Sequence, residues 1–271
     1  MGVPRNGPVG PRPRRLRPGL LLCAALAAAS AAGWGAAWSG DATSSAEPST
    51  DAASSPTSSG GLPDLAARPT EQVRIEGDPS DGGRWLRFST TIANVGSAPL
   101  ELLGEPDPAA GTIVVRQRVA GAGGEELRVV GTFVFDGAHG HWHFADLVVT
   151  ELWTLWPDGA LARLRAATEK TSFCLVDAWR LEPPPAGAAA APLFLVCVPE
   201  RQGLSPGWAD RYDATLPGQA MEIGDLADGR YALRTIVDPD GLRGDADPAN
   251  NTLTVAIELA GDAVEIGQNP I

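Results

Sequence analysis

Nowhere in the 271 residues does an apolar pattern hold a helical period through three turns; what recurs is alternation. Over 84–95, Leu86, Phe88 and Ile92 alternate with Arg87, Ser89 and Thr91. Over 251–259, Leu253, Val255 and Ile257 alternate with Thr252, Thr254 and Glu258, and over 230–237 Tyr231, Leu233 and Val237 share one face. A period of two is the mark of half-buried strands. Segments 113–119, 127–135, 147–156 and 193–198 are further strand candidates, and 147–156, apolar on both faces, suits a central strand. Gly82-Gly83, Gly123-Gly124, Asp158-Gly159, Asp228-Gly229 and Asp240-Gly241 punctuate the runs as turns. With 32 Gly and 24 Pro, a helical bundle is disfavoured. The expected fold is all-β: an antiparallel β-sandwich-like single domain with long loops, one of them the Pro/Ala run 183–192. A 44% hydrophobic chain suffices for its core, in which Tyr231 is expected to sit.

The N-terminal sequence has a different character. Arg5, Arg12, Arg14, Arg15 and Arg17 precede an apolar stretch of small residues and leucines, 19–32, that contains Ala29-Ser30-Ala31. This is the pattern of a secretory signal peptide; left uncleaved, 19–38 has about the ~20 residues of a membrane anchor. Residues 39–61, rich in Ser, Thr, Ala and Pro, bury too little to order themselves and read as a disordered linker. The organisation expected is 1–38 signal peptide or anchor, 39–61 linker and 62–271 folded domain. The net charge is −12, and loss of residues 1–31 removes five Arg and no acid, leaving 16 cations against 33 anions. Such a chain has no basic face for nucleic acid, and any membrane association is through the N-terminal anchor alone. Loss of the leader also removes Cys23, leaving Cys174 and Cys197. In the oxidising environment of a secreted or cell-surface protein these read as one disulfide, with two buried thiols the alternative.

All three histidines lie within five residues, at His139, His141 and His143. On a strand, positions i, i+2 and i+4 share a face, so the spacing gathers three imidazoles. A straight strand would spread the outer pair by about 13 Å, at the limit of what two histidines can reach toward one ion, so the segment must bend, which Gly137 and Gly140 permit. Imidazole is a common ligand for late transition metals, and three of them with an open position suit zinc hydrolysis as well as copper redox chemistry. The sole lysine of the chain, Lys170, stands in Glu169-Lys170-Thr171-Ser172-Phe173-Cys174. Tyr212, one of two tyrosines, closes Gln202-Gly203-Leu204-Ser205-Pro206-Gly207-Trp208-Ala209-Asp210-Arg211-Tyr212. Further on lies Asp245-x-Asp247-x-x-Asn250-Asn251.

In this order, these four blocks resemble the catalytic domain of the lysyl oxidase family (copper-dependent protein-lysine 6-oxidase), in its compact microbial branch, over roughly 62–259. The resemblance implies copper on His139, His141 and His143, and a lysine tyrosylquinone cofactor formed from Lys170 and Tyr212. It implies oxidation of a primary amine, free or in a lysine-containing protein substrate, by molecular oxygen to an aldehyde, with release of ammonia and hydrogen peroxide. It also implies calcium on Asp64, Leu65 (through its backbone carbonyl), Asp245, Asp247, Asn250 and Asn251, for which an acidic Asx turn between strands is the alternative. Asp146 is a candidate proton acceptor, and Trp142 and Trp208 are expected to pack around the site. The chain departs from the animal enzymes in lacking most of their cysteines and the Trp- and His-rich lead-in to the copper motif; here that lead-in is Phe133-Val134-Phe135-Asp136-Gly137. Collagen and elastin specificity therefore does not carry over. A non-catalytic metal-binding surface module is the competing reading. A zinc hydrolase is a third, weakened because no Glu or Asp base accompanies the histidines in their motif.

Overall fold

The computed structural model describes residues 61–77, 82–121, 124–241 and 243–271, without the side chains of 268 and 269. The signal peptide or anchor, 1–38, and the linker up to residue 60 lie outside the described residues. The alternating sequence produces strands throughout, and every strand pairing is antiparallel. Among the described residues the one helical element is a short 3-10 turn, Pro248–Asn251, so no helix among them is long and apolar enough to cross a membrane.

Three sheets form. The largest runs in the order Arg201–Leu204, Leu100–Asp107, Thr112–Gly121, Gly124–Asp136, His141–Leu155, Gly229–Val237, Thr252–Ala260, Ala263–Pro270; Leu161–Ala167 and Thr171–Phe173 also pair with His141–Leu155. A four-stranded sheet follows the order Leu65–Ala67, Thr90–Asn94, Trp208–Tyr212, Trp179–Arg180. A three-stranded sheet has the order Ala220–Glu222, Arg84–Arg87, Arg74–Gly77.

The two smaller sheets cover the large one, giving two cores between facing sheets. In the first, Leu65, Ile92 and Tyr212 of the four-stranded sheet pack against Leu100, Val115, Phe133, Phe144 and Leu147 of the large sheet. In the second, Leu86 and Met221 of the three-stranded sheet meet Leu152, Tyr231, Leu233 and Ile257. Tyr231 is thus in the core, and Trp142 and Trp208 pack at the edge of the first. Segment 147–156 is central as expected: all of it but Trp156 falls within His141–Leu155, with Gly229–Val237 on one edge and Leu161–Ala167 on the other.

Two strand expectations need correction. Segment 84–95 is not one strand. Arg84–Arg87 belongs to the three-stranded sheet and Thr90–Asn94 to the four-stranded one. The chain changes sheets at Phe88 and Ser89, whose N–H groups donate to Gln219 and Glu71 carbonyls. Segment 193–198 is not a strand at all. Its Leu193 and Phe194 N–H groups donate to the Asp177 carboxylate, and the Cys197 carbonyl accepts from Trp142 N–H. A buried side chain takes the place of a neighbouring strand, so Leu195 and Val196 remain exposed.

Candidate functional site

The histidine segment is a hairpin. Asp136 pairs with His141, and Val134 with His143. The Asp136 carboxylate accepts from the Ala138 and His139 N–H groups at 2.8 and 3.1 Å, and its carbonyl accepts from Gly140 N–H at 2.7 Å. Gly140 carries φ +71°, the left-handed conformation that glycine adopts without penalty. The bend is therefore at Gly140, and Gly137 is not in the left-handed region. This turn folds His139 back over the strand. His139 Nδ1 lies 3.2 Å from His143 Nε2, which lies 2.9 Å from His141 Nε2. His143 is 3% exposed. Its burial lowers the imidazole pKa to about 4, against the opposing pull of Asp136 and a hydrogen bond to the Ser172 backbone. It is therefore neutral, the form a metal ligand needs.

Tyr212 reaches the histidines from the facing sheet. Its hydroxyl accepts from Cys174 N–H at 2.7 Å and stands 3.5 Å from His143 Nε2. Burial raises the phenol's pKa, with the Cys174 bond opposing. Lys170 precedes the strand Thr171–Phe173, and its ammonium holds both oxygens of Asp240 at 2.7 Å, at the exposed rim. One cleft of about 630 Å³ is lined by His139, His143, Lys170 and Tyr212 and by the acids Asp136, Glu169 and Glu222. The fold thus brings together residues spread over more than 70 positions of sequence.

Cys174 and Cys197 are disulfide-bonded, with Cα atoms 5.4 Å apart; they offer no thiolate to a metal, although they lie beside His141. The segment between Gln202 and Tyr212 is mostly scaffold. Gln202 donates to the Trp142 carbonyl at 2.8 Å and accepts from Leu175 N–H at 3.3 Å, tying the histidine strand to the segment after Cys174. A side chain at Gly203 would collide with the Leu100 carbonyl and the Phe194 ring. Ser205 anchors to Asp177 through both its N–H and its hydroxyl.

The second oxygen cluster also converges. Asn250 Nδ2 donates to Asp64 at 2.8 Å, Leu65 N–H donates to Asp245 at 3.3 Å, and Asn251 hydrogen-bonds Asp245 through its side chain. Asp247 caps the 3-10 turn through Ala249 N–H. The side-chain carbonyl oxygens of Asn250 and Asn251 are buried without a hydrogen-bond partner. Burial raises the Asp245 pKa, and the neighbouring charge of Asp64 adds to this.

Asp146 does not join the site. It is exposed, at φ +56°, where the strand passes from one neighbour to the next, and it lines neither the cleft nor the cavity behind it. Three acids that the sequence reading gave no role matter more: Asp136, which builds the histidine turn; Asp177, which fixes the loop; and Asp210, buried two residues before Tyr212. The signal for Asp136 was an acid directly ahead of a four-residue turn ending in glycine.

Against this geometry, the comparisons with known proteins agree with one another. A family profile described as lysyl oxidase matches residues 128–268. The protein-lysine 6-oxidase of Sus scrofa is 32% identical over 104 residues, covering 38% of this chain and 39% of that protein. The protein of the same name from Homo sapiens is also 32% identical over 104 residues, 23% of its own length. Lysyl oxidase homolog 1 of Homo sapiens is 31% identical over 108 residues, 17% of its length. The chain therefore spans less than two fifths of each of these relatives. With the profile covering more than half of its sequence, the chain belongs to the lysyl oxidase family.

Proposed function

We propose that this protein is a copper- and quinone-dependent amine oxidase, secreted or held at the cell surface, that converts primary amines, peptidyl lysine among them, to aldehydes. The observation that carries the reading is the meeting of His139, His143, Tyr212 and the sole lysine on one cleft, with His141 directly behind, its Nε2 2.9 Å from that of His143. The donor set fits the metal. Three ring nitrogens, His139 Nδ1 and the Nε2 atoms of His141 and His143, lie within reach of one ion at about 2 Å metal–nitrogen distance. On the general affinity order an imidazole set holds Cu(II) more tightly than Zn(II).

Lys170 and Tyr212 are the precursors of the lysine tyrosylquinone in this reading. The quinone supplies an electrophilic carbonyl for the substrate amine and an electron sink that dioxygen restores, with release of hydrogen peroxide. The chain's own residues do the rest. Asp136 holds the histidine turn, Cys174 N–H fixes the Tyr212 hydroxyl, and Asp240 parks the Lys170 amine, which must leave that ion pair to reach Tyr212. Asp136, Glu169 and Glu222 make the cleft acidic, which favours a cationic amine arriving from water. Asp64, Leu65, Asp245, Asp247, Asn250 and Asn251 form the calcium site in this proposal. The two orphaned Asn oxygens and the crowded carboxylates are what a hard divalent cation would satisfy.

The test is to load the metal-free protein with copper under air, then to measure phenylhydrazine-reactive carbonyl and amine-dependent peroxide. About one hydrazine-reactive group per copper supports the proposal. Full copper occupancy with neither signal leaves the non-catalytic metal-binding module as the better account.

A further inference from the structure

Two buried acids, close enough for their charges to interact, differ in one respect. Asp177, 5% exposed, accepts from the N–H groups of Leu193, Phe194 and Ser205 and from the Ser205 hydroxyl, at 2.6–3.1 Å. It is a structural tie. Asp210, 4% exposed, accepts from the backbone at Arg211 and Val176, but its Oδ2 has no hydrogen-bond partner. A buried carboxylate oxygen without a donor is destabilising, and such exceptions are few in folded proteins.

Its location is specific. Asp210 and Tyr212 are at i and i+2 of the strand Trp208–Tyr212, so their side chains share its inner face. Between them Arg211 is engaged with Glu71 and Asp213, and its guanidinium lies over Trp179. Asp210 and Tyr212 both line a cavity of about 310 Å³ with His139, His141 and the Cys174–Cys197 bridge. The charged and titratable groups facing Asp210 are these two histidines, Tyr212, the Asp177 carboxylate behind it and Arg211 at the rim.

We infer that Asp210 is the proton acceptor of amine oxidation, its unpartnered Oδ2 held ready beside Tyr212. This rests on the amine-oxidase reading. In the step, the Cα–H bond of the bound amine breaks and its proton passes to Asp210 Oδ2. The electron pair of that bond leaves into the cofactor, from which dioxygen removes two electrons as hydrogen peroxide. Water then provides the aldehyde oxygen. Burial raises the Asp210 pKa to about 7, a value suited to a group that must both take and return a proton near neutrality.

The experiment compares Asp210→Asn with wild type, using Asp177→Asn as control, in metal-free and in copper-loaded protein. The folded-state pKa of about 7 lies above the ordinary 3.8. The wild type therefore loses stability as pH rises through that window, and the loss is complete above it. Metal-free Asp210→Asn should melt roughly 5 °C or more above wild type at pH 8, with the gap closing toward pH 4. Asp177→Asn should melt below wild type. Copper-loaded Asp210→Asn should keep wild-type copper and phenylhydrazine titres yet oxidise a simple primary amine at least ~100-fold more slowly. Turnover within a few-fold of wild type overturns the inference and spares the amine-oxidase reading. A variant that melts lower, or does not fold, assigns Asp210 the same work as Asp177 and also overturns it. A wild type without any hydrazine-reactive group overturns the amine-oxidase reading itself, and this inference with it.

Discussion

Replacing both cysteines, Cys174→Ser with Cys197→Ser, tests how the site is held. The bridge spans 23 positions and encloses the Pro/Ala loop. In the chain-entropy account, a loop of that length stabilises the fold by about 3.4 kcal/mol at 25 °C. At ~2–4 °C per kcal/mol for a domain of this size, the melting temperature should fall by about 7–14 °C. The bridge also joins the two halves of the site. Cys174 N–H holds the Tyr212 hydroxyl, and the Cys197 carbonyl accepts from Trp142 N–H between His141 and His143. The variant should therefore hold copper more weakly as well as melt earlier. Thermal melts of metal-free protein by circular dichroism, with thiol titration of the wild type to verify that the bond is present, read the first effect. Copper retention on dialysis against a competing chelator reads the second. A variant that melts within about 2 °C of wild type and keeps its copper would show that the Asp177 and Gln202 networks hold the site without the bridge.

His141→Ala should reduce copper from about one per chain to near none by elemental analysis, because His141 and its two neighbours make the only three-histidine set in the sequence. Lys170→Arg should abolish amine-dependent peroxide while leaving copper intact, since a guanidinium stays protonated and the chain has no other lysine. Tyr212→Phe should do the same and also leave Cys174 N–H without its partner, lowering stability by about 1–3 kcal/mol in denaturant titrations. Calcium should raise the melting temperature in proportion to the logarithm of its excess over Kd, and Asp245→Ala should remove that response.

Much of this was legible in the sequence. Period-two alternation revealed the β class, and a run apolar on both faces revealed the central strand, which the fold extends back to His141 and His143. Alternation carries no information about which sheet a strand joins, and for that reason the sheet change at Phe88 and Ser89 is invisible: the pattern continues across it. The stretch Leu193–Leu195–Val196–Val198 misled because apolar side chains are expected to mark a strand, whereas here Asp177, remote in sequence, satisfies the backbone. The histidine spacing required a bend, and Gly140 supplies it; that Asp136 ties the turn depends on side-chain bonds that composition does not encode. Asp210 was hidden for a related reason. An acid beside Arg211 reads as a surface pair, and only the burial of one strand face separates it from its neighbour, which pairs with Glu71 instead.

The central claim is that Lys170 and Tyr212 act together as one cofactor on the copper cleft. The most direct measurement is a peptide map by mass spectrometry of the wild-type protein after copper loading under air, with the metal-free protein as reference. The account predicts that the peptides containing Lys170 and Tyr212 disappear as separate species and return as one covalently joined, oxidised species, only in the copper-loaded sample. Quantitative recovery of both peptides, unmodified, from protein carrying one copper per chain would contradict it.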